Sequence, residues 1–250
     1  MAFTDNIIRD VDFIREMCST IRAARAEVGI PNIQPLMQVT FYKEIGEFDW
    51  LLFNQYADIV EADCNIKSAE WEIIFDDDYE KFNIVKEATL NFREAGKILG
   101  KQTQEVGKAI KEGRYTIVDG GVEVDGKFLD DTLVQVKVYV DNEKNLLNNY
   151  HVTRVGEQSF IVLDTMIYSG LYMQRLAQEV VKLINKARKD HGCDVGDFVD
   201  VLVGVPDEYA EAVSQQFGYP QMVVKYAKCN LMTIPSDTLE IKALKVHYDY

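Results

Sequence analysis

Between Asn6 and Gly29 apolar residues return every three or four positions: Ile7, Val11, Ile14, Met17, Cys18, Ile21 and Ala24. That spacing places them on one face of a helix. Arg25 lies at the edge of the stripe, and Gly29 and Pro31 end the helix. A strand is expected at 36–42 (LMQVTFY), a helix with a broad apolar face at 48–65, and an alternating strand at 68–75 (SAEWEIIF). A similar order returns later. A helix ends at Gly192, followed by a strand at 198–205 (FVDVLVGV). Helices are expected over DEYAEAVSQQF and PQMVVKYAKCN, and a strand over 239–248. Local details agree as well. The run from Arg25 to Gly29 closes its helix as the run from Arg188 to Gly192 does, and Cys64-Asn65 and Cys229-Asn230 each close a second helical region. This is the signature of a duplicated helix–strand–helix–strand unit.

A different segment lies between the copies. EATLNF (87–92) predicts a strand. GKILGKQTQEVGKAIKEG (96–113) predicts a helix, with Ile98, Leu99, Val106 and Ile110 on one side and Lys97, Lys101, Lys108 and Lys111 mostly on the other. Short strands over 115–129 are punctuated by Asp119-Gly120-Gly121 and Asp125-Gly126. Further strands fall at 132–140 and 159–165, and the polar stretch DNEKNLLNNYHVT predicts a mobile loop. The expected class is α/β (α+β), with mixed sheets, packed helices and two similar units around a central β-rich segment. The expected domains are 1–85, beginning as the continuation of an upstream helical bundle, then 86–168 and 169–250.

Charge narrows the function. A net charge of -14 on 250 residues argues against a protein that coats nucleic acid through a basic surface. The charge is uneven, however. Lys86 to Arg114 holds seven basic residues against four acids, and Met173 to His191 holds five against two. Polyanion contact would therefore be local, and solvated helix faces are the alternative. No apolar run approaches the roughly 18 residues that span a bilayer. The first residues lack a secretory signal, which points to the cytoplasm. The four cysteines form no C-x-x-C pair and the three histidines are scattered, so neither a metal nor another cofactor is expected. Cys64 and Cys229 read as buried thiols, Trp50 and Trp71 as core, and His191 as a helix C-terminal cation.

Catalytic patterns are absent: no G-x-S-x-G, H-E-x-x-H or G-x-G-x-x-G occurs. The Gly96–Thr103 stretch is not a phosphate loop. Only three residues separate Gly96 from Gly100, Gln102 stands where a hydroxyl is needed, and Thr103 comes one place late. Asp76, Asp77 and Asp78 are adjacent, so their carboxylates diverge on any regular backbone, and a solvated turn is expected.

Several stretches in order resemble one family. The helix over 14–29 with QPL at 34–36, then ADCNIKSAEWEIIF, resembles the segment that follows the anticodon-binding helices of bacterial-type isoleucyl-tRNA synthetases. LNFREAGKILGK is similar to that family's PNFKTLGPRLGK. SFIVLDT, LAQEVVKLINKARKDHGCDVGD and FVDVLVG follow in the family's order. The departures remove positive charge: Pro31-Asn32-Ile33 stands before QPL, and Gln178 replaces an arginine. The family's H-I-G-H and K-M-S-K-S catalytic signatures are absent, so no catalytic residue is assigned. The resemblance implies a C-terminal region that positions tRNA through phosphate contacts and packs on the rest of its synthetase, with no role for DNA or membrane. The implied RNA contacts are Arg22, Arg25, Arg93, Lys97, Lys101, Arg175, Lys182, Arg188 and Lys189. The competing expectation is a structural module that holds a synthetase or partner protein without touching RNA.

Overall fold

The computed structural model describes residues 2–43, 50–118, 120–155, 159–217, 222–224 and 227–247. In chain order the elements are α1 (Ala2–Glu27), β1 (Leu36–Lys43), α2 (Trp50–Cys64), β2 (Ile66–Ile73), α3 (Asp76–Lys81), β3 (Ile84–Leu90), α4 (Phe92–Leu99), a 3-10 turn (Gly100–Gln102) and α5 (Thr103–Lys111). Then come β4 (Thr116–Val118), β5 (Gly121–Val124), β6 (Lys127–Asp130), β7 (Val134–Val140), α6 (Asn142–Leu147), β8 (Tyr150–Val155) and β9 (Ser159–Asp164). The chain continues through α7 (Ser169–Asp190), β10 (Phe198–Val205), α8 (Asp207–Phe217), β11 (Met222–Val224), β12 (Cys229–Pro235) and β13 (Glu240–His247). The class is α/β with mixed sheets, as the periodicities predict. The elements gather into two compact units, residues 1–72 with 153–250 and residues 73–152.

The first unit holds two four-stranded sheets, ordered β2-β1-β9-β8 and β11-β12-β10-β13. The predicted stripe of α1 is buried at Ile14, Met17, Cys18, Ile21 and Ala24, against Val39 and Phe41 of β1, Val60 and Cys64 of α2, and Ile161 and Leu163 of β9. In the second sheet β10 is central. It runs parallel to β12 (Val201↔Leu231) and antiparallel to β13 (Val201↔Leu244). Val180 and Ile184 of α7 pack on its Val199, Val201 and Val203. The two sheets share a plan: β1 lies between β2 and antiparallel β9, and β10 lies between β12 and antiparallel β13. In the first copy residues 74–158 lie between the second and third of these strands. In the second copy only residues 236–239 do.

Three element expectations are corrected. PQMVVKYAKCN is not a helix over its described residues, 220–221 and 225–226 lying outside them. Met222–Val224 forms β11, antiparallel to Leu231, Asn230 and Cys229, so Cys229 opens a strand rather than closing a helix. The β-branched pair Val223-Val224 gains a partner strand there, and pairing overrides local helical spacing. DNEKNLLNNYHVT is not a loop but α6 and most of β8. Its polar side chains hydrogen-bond inward: Asn142 donates to Val152 O at 2.9 Å and accepts from Val152 N at 2.9 Å, and buried Asn145 donates to Phe82 O at 2.7 Å. The DDD run is the first turn of α3 rather than a turn alone, where acids suit the helix N-terminus and Asp78 accepts from Phe75 N.

The second unit, residues 73–152, packs α4 and α5 on two small sheets, the β3–β7 ribbon and the β4-β5-β6 meander. Asp125 (φ 48°) and Gly126 (φ 79°) make the two-residue turn between Val124 and its partner Lys127, as the Asp-Gly pair predicts.

Candidate nucleic-acid interface

Helix α7 carries the best-formed basic surface. Leu176, Ala177, Val180, Ile184 and Ala187 are buried, so positions turned away from them meet solvent. Lys182, Lys186 and Lys189 are exposed there, spaced i, i+4, i+7 and therefore neighbours along one face. Among the described residues no carboxylate forms an ion pair with any of the three. Lys186 completes the row, and the sequence reading did not assign it, although the i+4 spacing from Lys182 was the available signal. Arg175 begins the same helix but is engaged: its Nε donates to Glu179 at 2.8 Å. Tyr209 of α8 donates its hydroxyl to the same carboxylate at 2.6 Å. Burial alone would raise the Glu179 carboxyl, but Tyr209 and Arg175 together outweigh it and hold it below the usual range.

Arg93, Lys97 and Lys101 lie in the second unit, and all three are exposed. Asn91 caps α4, its side chain accepting from Glu94 N at 3.4 Å and its backbone N donating to Leu133 O at 2.7 Å. Gly100 (φ 53°) breaks the expected continuous helix into α4, the 3-10 turn and α5. Thr103, buried, donates to Gly100 O at 2.8 Å, so its hydroxyl serves the turn and not a nucleotide. Lys97 pairs with Glu94 at 2.7 Å and Arg93 lies 4.0 Å from the same residue. Lys101 has no such partner among the described residues. Gly96 and Gly100 are not points of close packing, since a Cβ at either would touch nothing within 4 Å. Gly107 is the close approach, with the Phe92 ring 2.8 Å from where its Cβ would stand.

Two expected contacts are removed by burial. Arg25 is fully buried, and its guanidinium donates to the carbonyls of Cys64 at 3.0 Å, Pro31 at 2.8 Å and Gln34. Burial pulls its pKa below the ordinary arginine value. Arg188 is also buried and donates to Lys228 O at 3.3 Å and Asp194 O at 3.0 Å. Both guanidinium groups are enclosed and held by backbone carbonyls, so no phosphate reaches them. Arg22 is partly exposed but forms an ion pair with Asp63. His191 lies at the end of α7, its Nδ1 2.8 Å from Ala187 O. The Asp76–Asp78 carboxylates do not converge as a metal-ligand group among the described residues.

No protein-family model matches the chain. Curated relatives do. The isoleucine–tRNA ligase of Nocardia farcinica is 28% identical over 205 residues, 80% of this chain and 18% of its own length. That of Corynebacterium diphtheriae is 28% identical over 217 residues, covering 83% of this chain and 18% of the relative. That of Tropheryma whipplei is 25% identical over 229 residues, covering 91% and 20%. The chain spans about a fifth of the length of the curated relatives it matches. Over four fifths or more of its own length the chain is therefore similar to a segment of isoleucine–tRNA ligases, the family its ordered motifs resemble.

Proposed function

We propose that this chain is a cytoplasmic tRNA-positioning segment of an isoleucine–tRNA ligase, holding RNA through its phosphates while the rest of the parent enzyme performs aminoacylation. The observation that carries the reading is the row Lys182, Lys186 and Lys189: three exposed cations on one helix face, without an ion-pair partner among the described residues, in a chain with net charge -14. Phosphate contacts orient an RNA without reading its sequence, and a lysine row on a rigid helix suits that task. Lys101, with Arg93 and Lys97, offers a second and smaller group. The matching relatives are isoleucine–tRNA ligases, which supports tRNA over other polyanions.

The test is tRNA binding by the chain carrying Lys182→Glu, Lys186→Glu and Lys189→Glu together. Each lost phosphate contact lowers the slope of log affinity against log salt by about 1. The triple variant should therefore bind much more weakly and lose about 2–3 from that slope. An unchanged slope would remove α7 from the interface.

A second reading has its own support. Arg25 and Arg188, two of the nine expected RNA contacts, are internal clamps, and the net charge opposes RNA. A purely structural module would bind no tRNA even at low salt and would form a tight complex with a helical-bundle fragment of the parent enzyme.

A further inference from the structure

Where α1 packs on α2, two thiols and a carboxylate meet. Cys18 comes from α1, and Asp63 and Cys64 end α2. The two sulfurs and an Asp63 oxygen lie within 4.8 Å of one another. Cys18 and Cys64 are buried, while Asp63 is exposed. The Cys64 sulfur also lies 3.9 Å from the Cys18 backbone oxygen. An apolar cleft of about 360 Å³ opens onto the group, lined by Val11, Ile14, Tyr56 and Ile59, with Cys18, Arg22 and Asp63 in its wall.

We propose that Cys18, Cys64 and Asp63 form a binding site for a thiophilic divalent cation of the zinc class, with water from the cleft as the fourth ligand. Zinc takes thiolate, imidazole and carboxylate ligands tetrahedrally, with bonds of about 2.3 Å to sulfur and 2.0–2.2 Å to oxygen. Such a centre sets two sulfurs about 3.8 Å apart, so small side-chain movements close the observed group around an ion. Two thiols lose their protons to solvent as the metal binds. Two thiolates, one carboxylate and a divalent cation sum to a single negative charge, and the Arg22 guanidinium on Asp63 balances it. That contact also orients the carboxylate. The sequence did not reveal the site because its ligands are 45 and 46 residues from Cys18 and show no C-x-x-C spacing. Packing of α1 on α2 brings them together.

The chain's thiols already differ in character. The Cys64 thiol beside it lowers the Cys18 pKa. The Cys18 sulfur and burial raise that of Cys64.

The test titrates the reduced, metal-free 250-residue chain with cadmium, following the thiolate-to-metal charge-transfer band, then displaces cadmium with zinc. The expected result is saturation at one equivalent, with zinc displacing cadmium and removing the band. Cys18→Ser and Cys64→Ser should each abolish the band, and Cys193→Ser should retain it. Asp63→Asn changes an exposed side chain and leaves both thiols in place, so it should keep the fold by circular dichroism and weaken metal binding at least tenfold. A band that persists without Cys18 and Cys64, saturation at other than one equivalent, or unchanged affinity in Asp63→Asn would overturn the site as drawn.

Discussion

Arg25 shows why a residue's type does not settle its role. In the sequence it is a cation near the end of an amphipathic helix. In the structure its guanidinium gathers three backbone carbonyls and fixes the QPL stretch, including Gln34, to the end of α2. A planar fork with several donors satisfies diverging carbonyls that one ammonium does not. Arg25→Lys should therefore cost about 2–4 kcal/mol in a urea melt, because buried carbonyls lose their partners. A loss below about 0.5 kcal/mol, the range of ordinary surface changes, would contradict the clamp. The motifs that carry the family resemblance thus include structural residues, and burial, which spacing alone does not show, separates them from surface cations. Glycines make the same point. A Cβ at Gly121 would stand 2.1 Å from Leu129 O, which is backbone and does not swing aside. Gly121→Ala should cost about 1–3 kcal/mol. Gly96 lies inside α4 with open space around it, so Gly96→Ala should stabilise by about 0.4–1 kcal/mol. Thermal melts of the pair check both, and the reverse ranking would contradict the packing described for the second unit.

At the scale of elements, strongly periodic segments were legible and paired ones were not. The stripes of α1 and α7 and the runs of β1 and β10 appear where the sequence places them. Segment 220–230 and the polar run 141–153 did not, because β11 exists through its antiparallel partner β12 and α6 through the inward bonds of Asn142 and Asn145. Neither partner is local in sequence. The packing of α7 on α8 has a measurable consequence. Burial and the Glu179 carboxylate raise the Tyr209 pKa from its ordinary 10.0 to about 12. The folded state thus keeps a proton that the unfolded chain gives up, so this stabilisation is full below pH 10 and fades as pH rises toward 12. Glu179 has the opposite sign: its lowered pKa contributes stability above the ordinary value of about 4.3, lost as pH falls through the folded value. Tyr209→Phe should remove this alkaline loss and weaken the contribution of Glu179. Urea melts at neutral and alkaline pH measure it, and an alkaline limb identical to that of the parent chain would exclude the network.

At the scale of the molecule, the repeated Arg-to-Gly helix endings point to two similar units, but the element matching differs: the sequence sets 68–75 against 239–248, whereas in the structure β2 corresponds to β12 and β9 to β13. The contact units were not legible, because the first copy's β9 comes after the eighty-residue run 73–152. The charge of -14 as a total opposes a broad RNA surface, and its distribution decides where contact is possible. What matters is that Lys182, Lys186 and Lys189 share one exposed face with no ion-pair partner among the described residues, while Lys97, Arg22 and Arg175 are paired. The central claim is contact with tRNA phosphate. Its most direct test is binding of the 250-residue chain to labelled isoleucine tRNA and to a non-cognate tRNA, from low to physiological salt. Affinity that falls steeply with salt is the predicted result, with a similar slope for both RNAs if phosphate contacts dominate. No binding to either RNA at low salt would contradict the claim and favour the structural reading.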